Sequence, residues 1–359
     1  MSVRVFEQLS ALPEEVSAAL RFPAEPRFQR SLQWFENLYT EALADAISPR
    51  IYVYGGGGDA PVALFCAVRD ERPGVLSSLT NFYTLEFGLS GGASDRELRA
   101  RALAAIAAHI ASEQYAVVDL SLLFEGDAET EDATAAFINA GFSCETFFQF
   151  DNWTRPDLDA LEGSYHALLQ ALPSKLRNTL HRKARRLGRE HDMRIRLLRE
   201  PGPELDQAIE DYVAIYNRSW KDPEPFERFM PGLIGVAASL GALTLGVLYL
   251  DDTPVAAQVW LHEPGRSVIY KLAHDEAYKH ASAGSVLSGE LFRDTLSRSG
   301  IKVIDYGVGS EAYKRDWMTQ NGRMIGLRAM NRTTLRGRAA IAAARVRRVG
   351  KRLLGRASD

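Results

Sequence analysis

The sequence predicts an α/β protein made of two similar units with mixed sheets, joined by a basic helical arm and followed by a basic C-terminal amphipathic helix. Three observations predict it. Strand-like and helix-like segments alternate through both halves, their order is repeated, and two strongly basic stretches interrupt a chain whose net charge is −3. A length of 359 residues also favours two compact units over one.

The repeat is one of architecture, with little identity between the halves. Pro61-Val62-Ala63 begins a strand that is followed by a hairpin, a strand, a helix and then Val117-Val118-Asp119. Pro254-Val255-Ala256 begins the same order and reaches Val303-Ile304-Asp305, and the two Pro-to-Asp intervals are 58 and 51 residues. We therefore expect an N-terminal domain over residues 1–155, a basic helical arm over 164–190, a C-terminal domain over 191–335 and a basic tail over 336–359.

In the first half, Leu32, Phe35 and Leu38 recur at helical spacing and predict a helix over Ser31–Ala46. Four consecutive glycines precede Asp59, but neither a helix nor a Lys-Ser/Thr pair follows them, so a hairpin is favoured over a phosphate-binding loop. The other predicted elements of this half are strands at Arg50–Tyr54, Pro61–Arg69, Gly74–Leu79, Tyr115–Leu120 and Phe142–Phe150, and helices at Ser94–Glu113 and Glu131–Ala140.

The segment Tyr165–Arg189 is predicted to be a basic amphipathic helix. Leu172, Leu176, Leu180, Ala184 and Leu187 form its apolar stripe, with basic residues around it. It is either a solvated arm packed along a neighbouring domain or an electropositive wall for a phosphate-bearing ligand. The later elements are predicted as strands at Met193–Leu198, Ala242–Leu250, Pro254–His262, Ser267–Ala273, Ile301–Tyr306 and Arg323–Met330, and helices at Pro203–Ser219, Phe226–Leu240 and from the loop Ala281–Ser285 to Gly300.

The composition argues against several classes of protein. No apolar run approaches the roughly 20 residues of a membrane-spanning helix, and MSVRVFEQLSALPEE lacks the charged-then-apolar order of a signal peptide. Cys66 and Cys144, the two cysteines, each lie in an apolar strand-like run, which favours buried reduced thiols over a disulfide. No cysteine and histidine cluster has metal-ligand spacing. The sequence therefore predicts a cytoplasmic protein without a metal cofactor.

One stretch of the second half has the geometry of a phosphate site. The strand candidate Val268–Ala273 leads to the small-residue loop Ala281–Ser285, a helix and a second strand, Ile301–Tyr306. A helix that starts after such a loop presents free backbone N–H groups and a partial positive charge to an anion.

Motifs around this stretch resemble the acyltransferases of the GNAT superfamily, in the double-domain branch that includes Fem-type peptidyltransferases and cellulose-biosynthesis-type acetyltransferases. The motifs are LPSKLRNTLHRKARRL, PVAAQVWL, IYKLAHD, the AGSVL helix start and IDYGVGSEAYKRDW. The loop His280–Ser285 departs from the Arg/Gln- and Gly-rich phosphate loop of that superfamily. The whole chain, including SLQWFENL and SLTNFYT, is also similar to GNAT-type bacterial ceramide synthases, which acylate the amine of a long-chain base with fatty acyl-CoA.

The resemblance implies where an acyl-CoA co-substrate would bind. In such folds two neighbouring parallel strands splay apart and hold the pantetheine, and here these are Val268–Ala273 and Ile301–Tyr306. Tyr270 and Lys271 alternate on the first strand, so at most one of them faces the donor. The other donor-binding residues that the resemblance implies are His280, Ser282, Gly284 and Ser285.

Acyl transfer from a thioester to an amine needs a neutral amine, hydrogen-bond donors for the tetrahedral oxyanion and a proton for the departing thiolate. His274, just past the central strand, is the candidate general base because its side chain titrates near neutral pH. The alternative is a turn histidine that is hydrogen-bonded to Asp275 or Glu276.

Three candidates lie at the end of the second strand or just after it. Asp305 either orients the amine or forms an ion pair with Lys314 or Arg315. Tyr313 is the candidate proton donor to the thiolate, or else an aromatic cap on the core. Lys314 either neutralises a phosphate or the oxyanion, or forms a surface salt bridge.

Asn81 and Tyr83 hold the matching place in the first half, where SLTNFYT ends a strand in polar and aromatic residues. We expect them to bind the acceptor, with a loop that only packs on the other domain as the alternative.

The tail Leu335–Arg356 carries eight basic residues and no acid, while residues 1–150 carry 10 Arg, no Lys and 21 acids. Ala342, Val346, Val349 and Leu353 lie along one side of the predicted helix, which indicates binding to an anionic membrane surface. A frayed soluble extension is the alternative, and the lack of interleaved aromatic residues argues against nucleic acid.

These features together favour an acyl-CoA-dependent N-acyltransferase that acts on an amine-bearing lipid at the inner membrane face. Three other functions stay open. They are N-acetylation of an amino sugar in an exported polysaccharide, Fem-like transfer from aminoacyl-tRNA, and a non-catalytic membrane- or protein-binding pair of degenerate units.

Overall fold

The computed structural model describes residues 2–56, 59–92 and 95–355, and for residues 56, 59 and 348–355 it describes the backbone alone. The chain forms two compact units. The first comprises the described residues up to Phe150 and from Arg323 onward, and the second comprises Asp151–Gly322. The predicted fold class, α/β with mixed sheets, is confirmed. The strand predicted at Arg323–Met330 belongs to the first unit, although the sequence had suggested the second.

The chain order of the elements follows the predicted alternation of strands and helices. The chain first forms the following elements, and it leaves the first unit within the last of them: β1 (Val3–Phe6), α1 (Glu14–Leu20), α2 (Leu32–Leu38), β2 (Ser48–Gly56), β3 (Asp59–Val68), β4 (Val75–Ser78), α3 (Arg96–Ser112), β5 (Val117–Phe124), α4 (Ala128–Asn139) and β6 (Phe142–Arg155). The elements that follow are α5 (Tyr165–Ala171), α6 (Ser174–Glu190), β7 (Met193–Leu198), α7 (Pro203–Asn217), α8 (Phe229–Ser239), β8 (Leu243–Leu250), β9 (Thr253–Glu263), β10 (Arg266–His274), α9 (Ala283–Leu296), β11 (Val303–Val308), α10 (Ala312–Trp317), β12 (Gln320–Asn331) and α11 (Leu335–Gly355).

The sheet of the first unit is mostly antiparallel. Strands β1, β2, β3 and β4 pair antiparallel in sequence order, β4 pairs parallel with β5, and β5 pairs antiparallel with β12. The β2–β3 pairing reaches Gly56 and Asp59, which confirms the hairpin that the glycine run predicted. Gly57 and Gly58 themselves lie outside the described residues.

In the second unit, the end of β6 pairs antiparallel with β11, and β10, β9, β8 and β7 follow in that order. Strands β10 and β11 are parallel, and their ladder has three residue pairs, of which Val268↔Asp305 is the last. Both strands continue past this pair, to His274 and Val308. The sheet therefore opens between them at their carboxyl ends.

Helix α9 covers this sheet through a compact aromatic contact. The ring of Trp260 on β9 lies 5.2 Å from Phe292 in an edge-to-face arrangement, and Phe292 stacks on Trp317 at 4.4 Å. A Cβ at Gly246 on β8 would come within 3.0 Å of the Leu291 side chain, so the glycine lets the helix approach closely. This packing fixes where the first turn of α9 lies relative to β9 and β10.

The predicted helix over Tyr165–Arg189 is two helices, α5 and α6. The break falls at Leu172, whose ψ of 151° is extended. Pro173 follows it, and a proline disfavours the helical conformation of the residue before it. The predicted apolar stripe of α6 is confirmed, because Leu176, Leu180 and Leu187 are buried.

Other boundaries differ by a few residues. The helix predicted over Ser31–Ala46 leaves α-helical geometry at Leu38 and ends in a π-helical turn over Tyr39–Leu43. Cys66 is a buried free thiol as expected, whereas the free thiol of Cys144 is only half-buried. No helix in the described part of the chain is both long and apolar enough to cross a bilayer.

Candidate functional site

A cavity of about 260 Å³ opens in the second unit where β10 and β11 diverge. The end of β10, the start of α9 and the segment after β11 enclose it. Its lining residues are Trp220, Gln258, Leu272, Ala273, His274, Lys279, Ser282, Ala283, Gly284, Ser285, Ser288, Tyr306, Tyr313 and Trp317. The cavity thus brings together five of the predicted site residues, which are His274, Ser282, Gly284, Ser285 and Tyr313.

The small-residue segment forms the first turn of α9 at the cavity wall. A 3₁₀ helix over Glu276–Ala281 leads into Ser282, whose φ of 57° turns the chain into the helix. The side-chain amide of Gln258 donates to the carbonyl of Gly284 at 3.0 Å and to the hydroxyl of Ser288 at 2.7 Å. This turn is therefore held against β9, and its N–H groups are those that a helix leaves without an internal partner.

His274 lies at the carboxyl end of β10 with its ring 4.4 Å from that of Trp220. Its Nε2 is buried and accepts or donates no hydrogen bond among the described residues, and the carboxylate of Glu276 is 3.9 Å away. The alternative of a hydrogen-bonded turn histidine is therefore not what the structure shows. Burial lowers the pKa of His274, and the cations of Lys279 and Lys221 add to this against the opposing effect of Glu276.

Two tyrosines face the cavity on the β11 side. The rings of Tyr306 and Tyr313 meet edge to face at 5.6 Å, with Tyr306 buried and Tyr313 partly exposed. Burial raises the pKa of both phenols, and for Tyr313 the nearby Glu311 raises it further. Both hydroxyls therefore keep their protons at neutral pH, as a proton donor requires.

Three lysines outside the cavity lining lie close to one another. Lys271 and Lys314 each bind a carboxylate, at 2.9 and 3.0 Å. Lys221 has no ion-pair partner among the described residues, and its Nζ donates to the carbonyl of Leu272 at 2.7 Å. Lys221 and Lys271 also lie against the same ring, that of Tyr216. Burial, with repulsion from Lys271, lowers the pKa of Lys221 to about 8.

Asp305 and Lys314, both predicted to be catalytic, do not line the cavity. The carboxylate of Asp305 is buried, binds Arg266 at 3.1 Å and accepts a 2.7 Å hydrogen bond from the N–H of Gly307. Its ion-pair partner is thus Arg266, whereas the sequence had suggested Lys314 or Arg315. The Lys314 ammonium is buried too, where it donates to the carbonyl of Val308 at 2.5 Å, so its ion pair with Glu311 is not a plain surface contact.

Three of the residues expected to bind the donor also lie outside the lining. A β-bulge between Ile269 and Lys271 breaks the alternation of side chains on β10, and neither Tyr270 nor Lys271 reaches the cavity. His280 is exposed on the 3₁₀ helix, and its carbonyl accepts from Lys183 of α6 at 2.6 Å. That contact ties the basic helix to the segment that precedes α9.

The predicted acceptor residues lie in the first unit. The side-chain oxygen of Asn81 accepts from the N–H of Tyr83 at 2.9 Å, which closes a local turn. Tyr83 is buried, and the exposed aromatic residue of this segment is Phe82. A buried ring is not free to contact a ligand, so Tyr83 is better explained as part of the core of its own unit.

Several lining residues were not predicted. Trp220 comes from the turn after α7, and Gln258 comes from β9. Lys221, which follows Trp220 in the same turn, was not predicted either, and it lies outside the lining. The pair of an aromatic residue and a lysine in the polar SWKDPEP turn was the one available indication. No group of three or more His, Cys, Asp or Glu side chains that could hold a metal ion occurs among the described residues.

A comparison with protein families finds a match, and it lies within the second unit. Residues 174–315 match the family model described as "Acetyltransferase (GNAT) domain". No curated protein matches the chain in sequence.

Solved structures share the fold over most of the chain. FemX is similar with a TM-score of 0.62 and 11% identity, over 92% of this chain and 97% of that one. L-PGS from Bacillus licheniformis has a TM-score of 0.51 and 15% identity, over 90% and 97%. The C-terminal domain of a putative lysylphosphatidylglycerol synthetase from Agrobacterium fabrum has 0.50 and 14%, over 82% and 86%.

The family match confirms the resemblance of the second unit to the GNAT superfamily, and FemX shares the fold over most of the chain. At these identities the solved structures establish the fold alone. The matched residues 174–315, an acetyltransferase (GNAT) domain by that description, include every residue that lines the cavity except Trp317.

Proposed function

We propose that the protein is an N-acyltransferase that uses an acyl-CoA thioester and acylates the amine of a lipid, with a long-chain base as the expected acceptor. The observation that carries the proposal is the cavity between the diverging strands β10 and β11, which joins the free N–H groups of the first turn of α9 to His274. Anions bind favourably at such helix starts because unpaired N–H groups and the helix dipole both point at them. This suits the pyrophosphate of the donor.

His274 is the proposed general base. Its lowered pKa keeps the imidazole neutral at neutral pH, and its buried Nε2 has no competing hydrogen bond among the described residues. The amine nitrogen forms a bond to the acyl carbon as the carbon–sulfur bond breaks, and the proton released by the nitrogen passes to His274. The phenol of Tyr313, which burial keeps protonated, supplies the proton to the departing thiolate.

Lys221 is proposed to act through His274. Its cation opposes a positive charge on the imidazole, which is one of the causes of the lowered pKa. The 2.7 Å bond to the carbonyl of Leu272 fixes the lysine beside the strand that carries His274. Asp305 is proposed to maintain the opening of the sheet through Arg266, and to have no direct contact with the reacting groups.

The tail supports a lipid acceptor. Helix α11 exposes Leu335 and Val346 to solvent together with several arginines, which is the composition of a helix that lies on an anionic membrane. The proposal therefore includes peripheral association with the inner membrane face.

A second candidate function is transfer of an amino acid from aminoacyl-tRNA. The shared fold with FemX and with a putative lysylphosphatidylglycerol synthetase favours it, as does the basic helix α6 beside the loop at His280. In this case a polynucleotide would take the place of coenzyme A.

Titration calorimetry with coenzyme A, acetyl-CoA, a long-chain acyl-CoA and an aminoacyl-tRNA separates these functions. We expect coenzyme A to bind and the long-chain thioester to bind more tightly. Acetyl-CoA binding without a gain for the long chain would instead favour an amino-sugar acceptor. Binding of aminoacyl-tRNA alone would favour the second candidate, and binding of none of the four would contradict the enzyme.

A further inference from the structure

A concave surface of the first unit is lined by three arginines. It has a volume of about 330 Å³, and the residues around it are Ser143, Arg332, Arg338, Ile341, Ala342 and Arg345. Arg338 and Arg345 are seven residues apart on α11, which is two helical turns, so both project from the same side. The Nε of Arg338 donates to the carbonyl of Arg332 at 2.8 Å and so joins the loop before α11 to the helix.

These three guanidinium groups lack the partners that other arginines of the unit have. Arg323, Arg328 and Arg347 bind carboxylates of Glu125, Asp119 and Glu145. In the part of the chain that the structure describes, no carboxylate forms an ion pair with any of the three around the concavity. Each guanidinium has five N–H donors, and their fork geometry matches a phosphate.

The exposed face of α11 also has an apolar stripe, which borders the concavity at Ala342. Leu335, Ala339, Ala342 and Val346 recur at helical spacing and are exposed, and the side chains of Leu335 and Val346 are 84% and 72% accessible. Gly337 and Ala344 face the opposite way and are buried. The helix is therefore packed on its unit by one face while it presents an apolar stripe to solvent.

Arginines lie on both flanks of this stripe. Arg338 and Arg345 follow one side, and Arg336 and Arg347 follow the other. An exposed apolar stripe between two rows of cations is the arrangement of a helix that lies in the headgroup region of a bilayer. A soluble anion would account for the arginines but not for the stripe.

We infer that Arg332, Arg338 and Arg345 bind the phosphate of an anionic phospholipid while the apolar stripe enters the same leaflet. The hydroxyl of Ser143 lines the same concavity and is a further donor for the phosphate oxygens. This inference deepens the membrane-surface part of the proposed function, and it does not depend on the acyl-transfer reaction.

The test is sedimentation of the full-length protein with vesicles of phosphatidylcholine, with and without phosphatidylglycerol. Arg338→Gln and Arg336→Gln are matched variants, since each removes one exposed charge from the same helix two residues apart. Loss of one surface charge lowers binding to an anionic bilayer about fivefold. We expect Arg336→Gln to show this loss and Arg338→Gln to lose clearly more. Equal losses would mean diffuse attraction and would overturn the site.

Two further measurements test the entry of the stripe and the source of the phosphate. Val346→Trp should shift its fluorescence to the blue on vesicles with phosphatidylglycerol, and an unchanged spectrum would contradict entry of the stripe. Inorganic phosphate at matched ionic strength should leave vesicle binding intact, and displacement by it would assign the arginines to a free phosphate. Circular dichroism checks that the variants fold.

Failure of this inference and failure of the proposed function give different results. If the vesicle pattern holds while no thioester binds, the lipid site stands and the reaction is wrong. If acyl transfer to a detergent-dispersed lipid amine is detected but the wild-type protein does not bind anionic vesicles, the proposed reaction stands and the proposed lipid site is wrong.

Discussion

Asp119 and Asp305 occupy equivalent positions in the two units. Each is the last residue of a three-pair parallel ladder, and each strand continues beyond it. Both carboxylates are buried and bind arginine, Asp119 through Arg72 and Arg328 and Asp305 through Arg266. The repeat that Val117-Val118-Asp119 and Val303-Ile304-Asp305 predicted therefore has a structural counterpart, and it concerns the architecture of the sheet.

Replacement of Asp305 by asparagine should destabilise the second unit. The side chains of Asp305 and Arg266 are 4% and 9% exposed, and a broken buried pair leaves one charge without compensation. Arg266 keeps Glu263 at 3.3 Å, so we expect a loss of about 3 kcal/mol in the free energy of unfolding, at the low end for such pairs. Urea unfolding measures it.

The control is Asp316→Asn, which changes an exposed carboxylate nearby. It should alter the free energy of unfolding by less than about 0.5 kcal/mol. Lost turnover in Asp305→Asn with unchanged stability would show that Asp305 acts in the chemistry instead.

His274→Ala should lower turnover by roughly 10²- to 10⁴-fold, the usual contribution of general acid–base catalysis. The affinity for coenzyme A should change little, because the first turn of α9 is held by Gln258 and Ser288. Thiol release and calorimetry measure the two effects. His280→Ala, an exposed histidine whose backbone alone holds Lys183, is the matched control. Comparable turnover in the two variants would rule out His274 as the general base.

The pH dependence of turnover should report the surroundings of His274. Because the pKa of His274 lies below 6.5, the ordinary pKa of histidine, the imidazole is neutral at and above pH 6.5. Turnover should therefore fall only when the pH is lower than 6.5. Lys221→Met removes a nearby cation, which raises the pKa of His274 and moves the acid limb to higher pH. Lys221→Arg should keep the wild-type limb. NMR titration of the ring checks the same pKa without an assay, and an unchanged value in Lys221→Met would exclude the coupling.

Stability should fall in mild acid because of a different histidine. His262 is buried between the hydroxyls of Ser267 and Thr244, at 2.8 and 2.9 Å. Burial, with the cations of Arg298 and Arg199, lowers its pKa from 6.5 to about 3.

Between pH 6.5 and about pH 3, the imidazole of His262 is protonated in the unfolded chain and neutral in the folded chain. The free energy of unfolding should therefore lose about 1.4 kcal/mol per pH unit from this group as the pH falls below 6.5. His262→Gln should have a shallower slope by that amount in urea titrations from neutral pH to pH 4. Equal slopes of the free energy of unfolding against pH in the wild type and in His262→Gln would show that His262 does not cause the loss of stability in acid.

Residues that are local in the sequence were the predictable part of the site. His274 and Ser282–Ser285 lie within one strand-loop-helix segment, so spacing and residue type were enough to suggest that they act together. Gln258 and Trp220 were missed because they reach the cavity by other routes. Gln258 is brought there by its register opposite Leu272, and Trp220 by the turn after α7. No short-range pattern carries this information.

The sequence by itself determined the elements and the kind of fold, since apolar periodicity, the glycine run before Asp59 and the repeated order of segments all act over short distances. The tertiary structure alone decided which charges pair and which side chains reach the cavity. Asp305 binds Arg266 because parallel pairing aligns their strands. A bulge interrupts the alternation of side chains at Tyr270 and Lys271, neither of which lines the cavity. Register, bulges and burial depend on contacts between distant segments, and these set the partners of a buried charge.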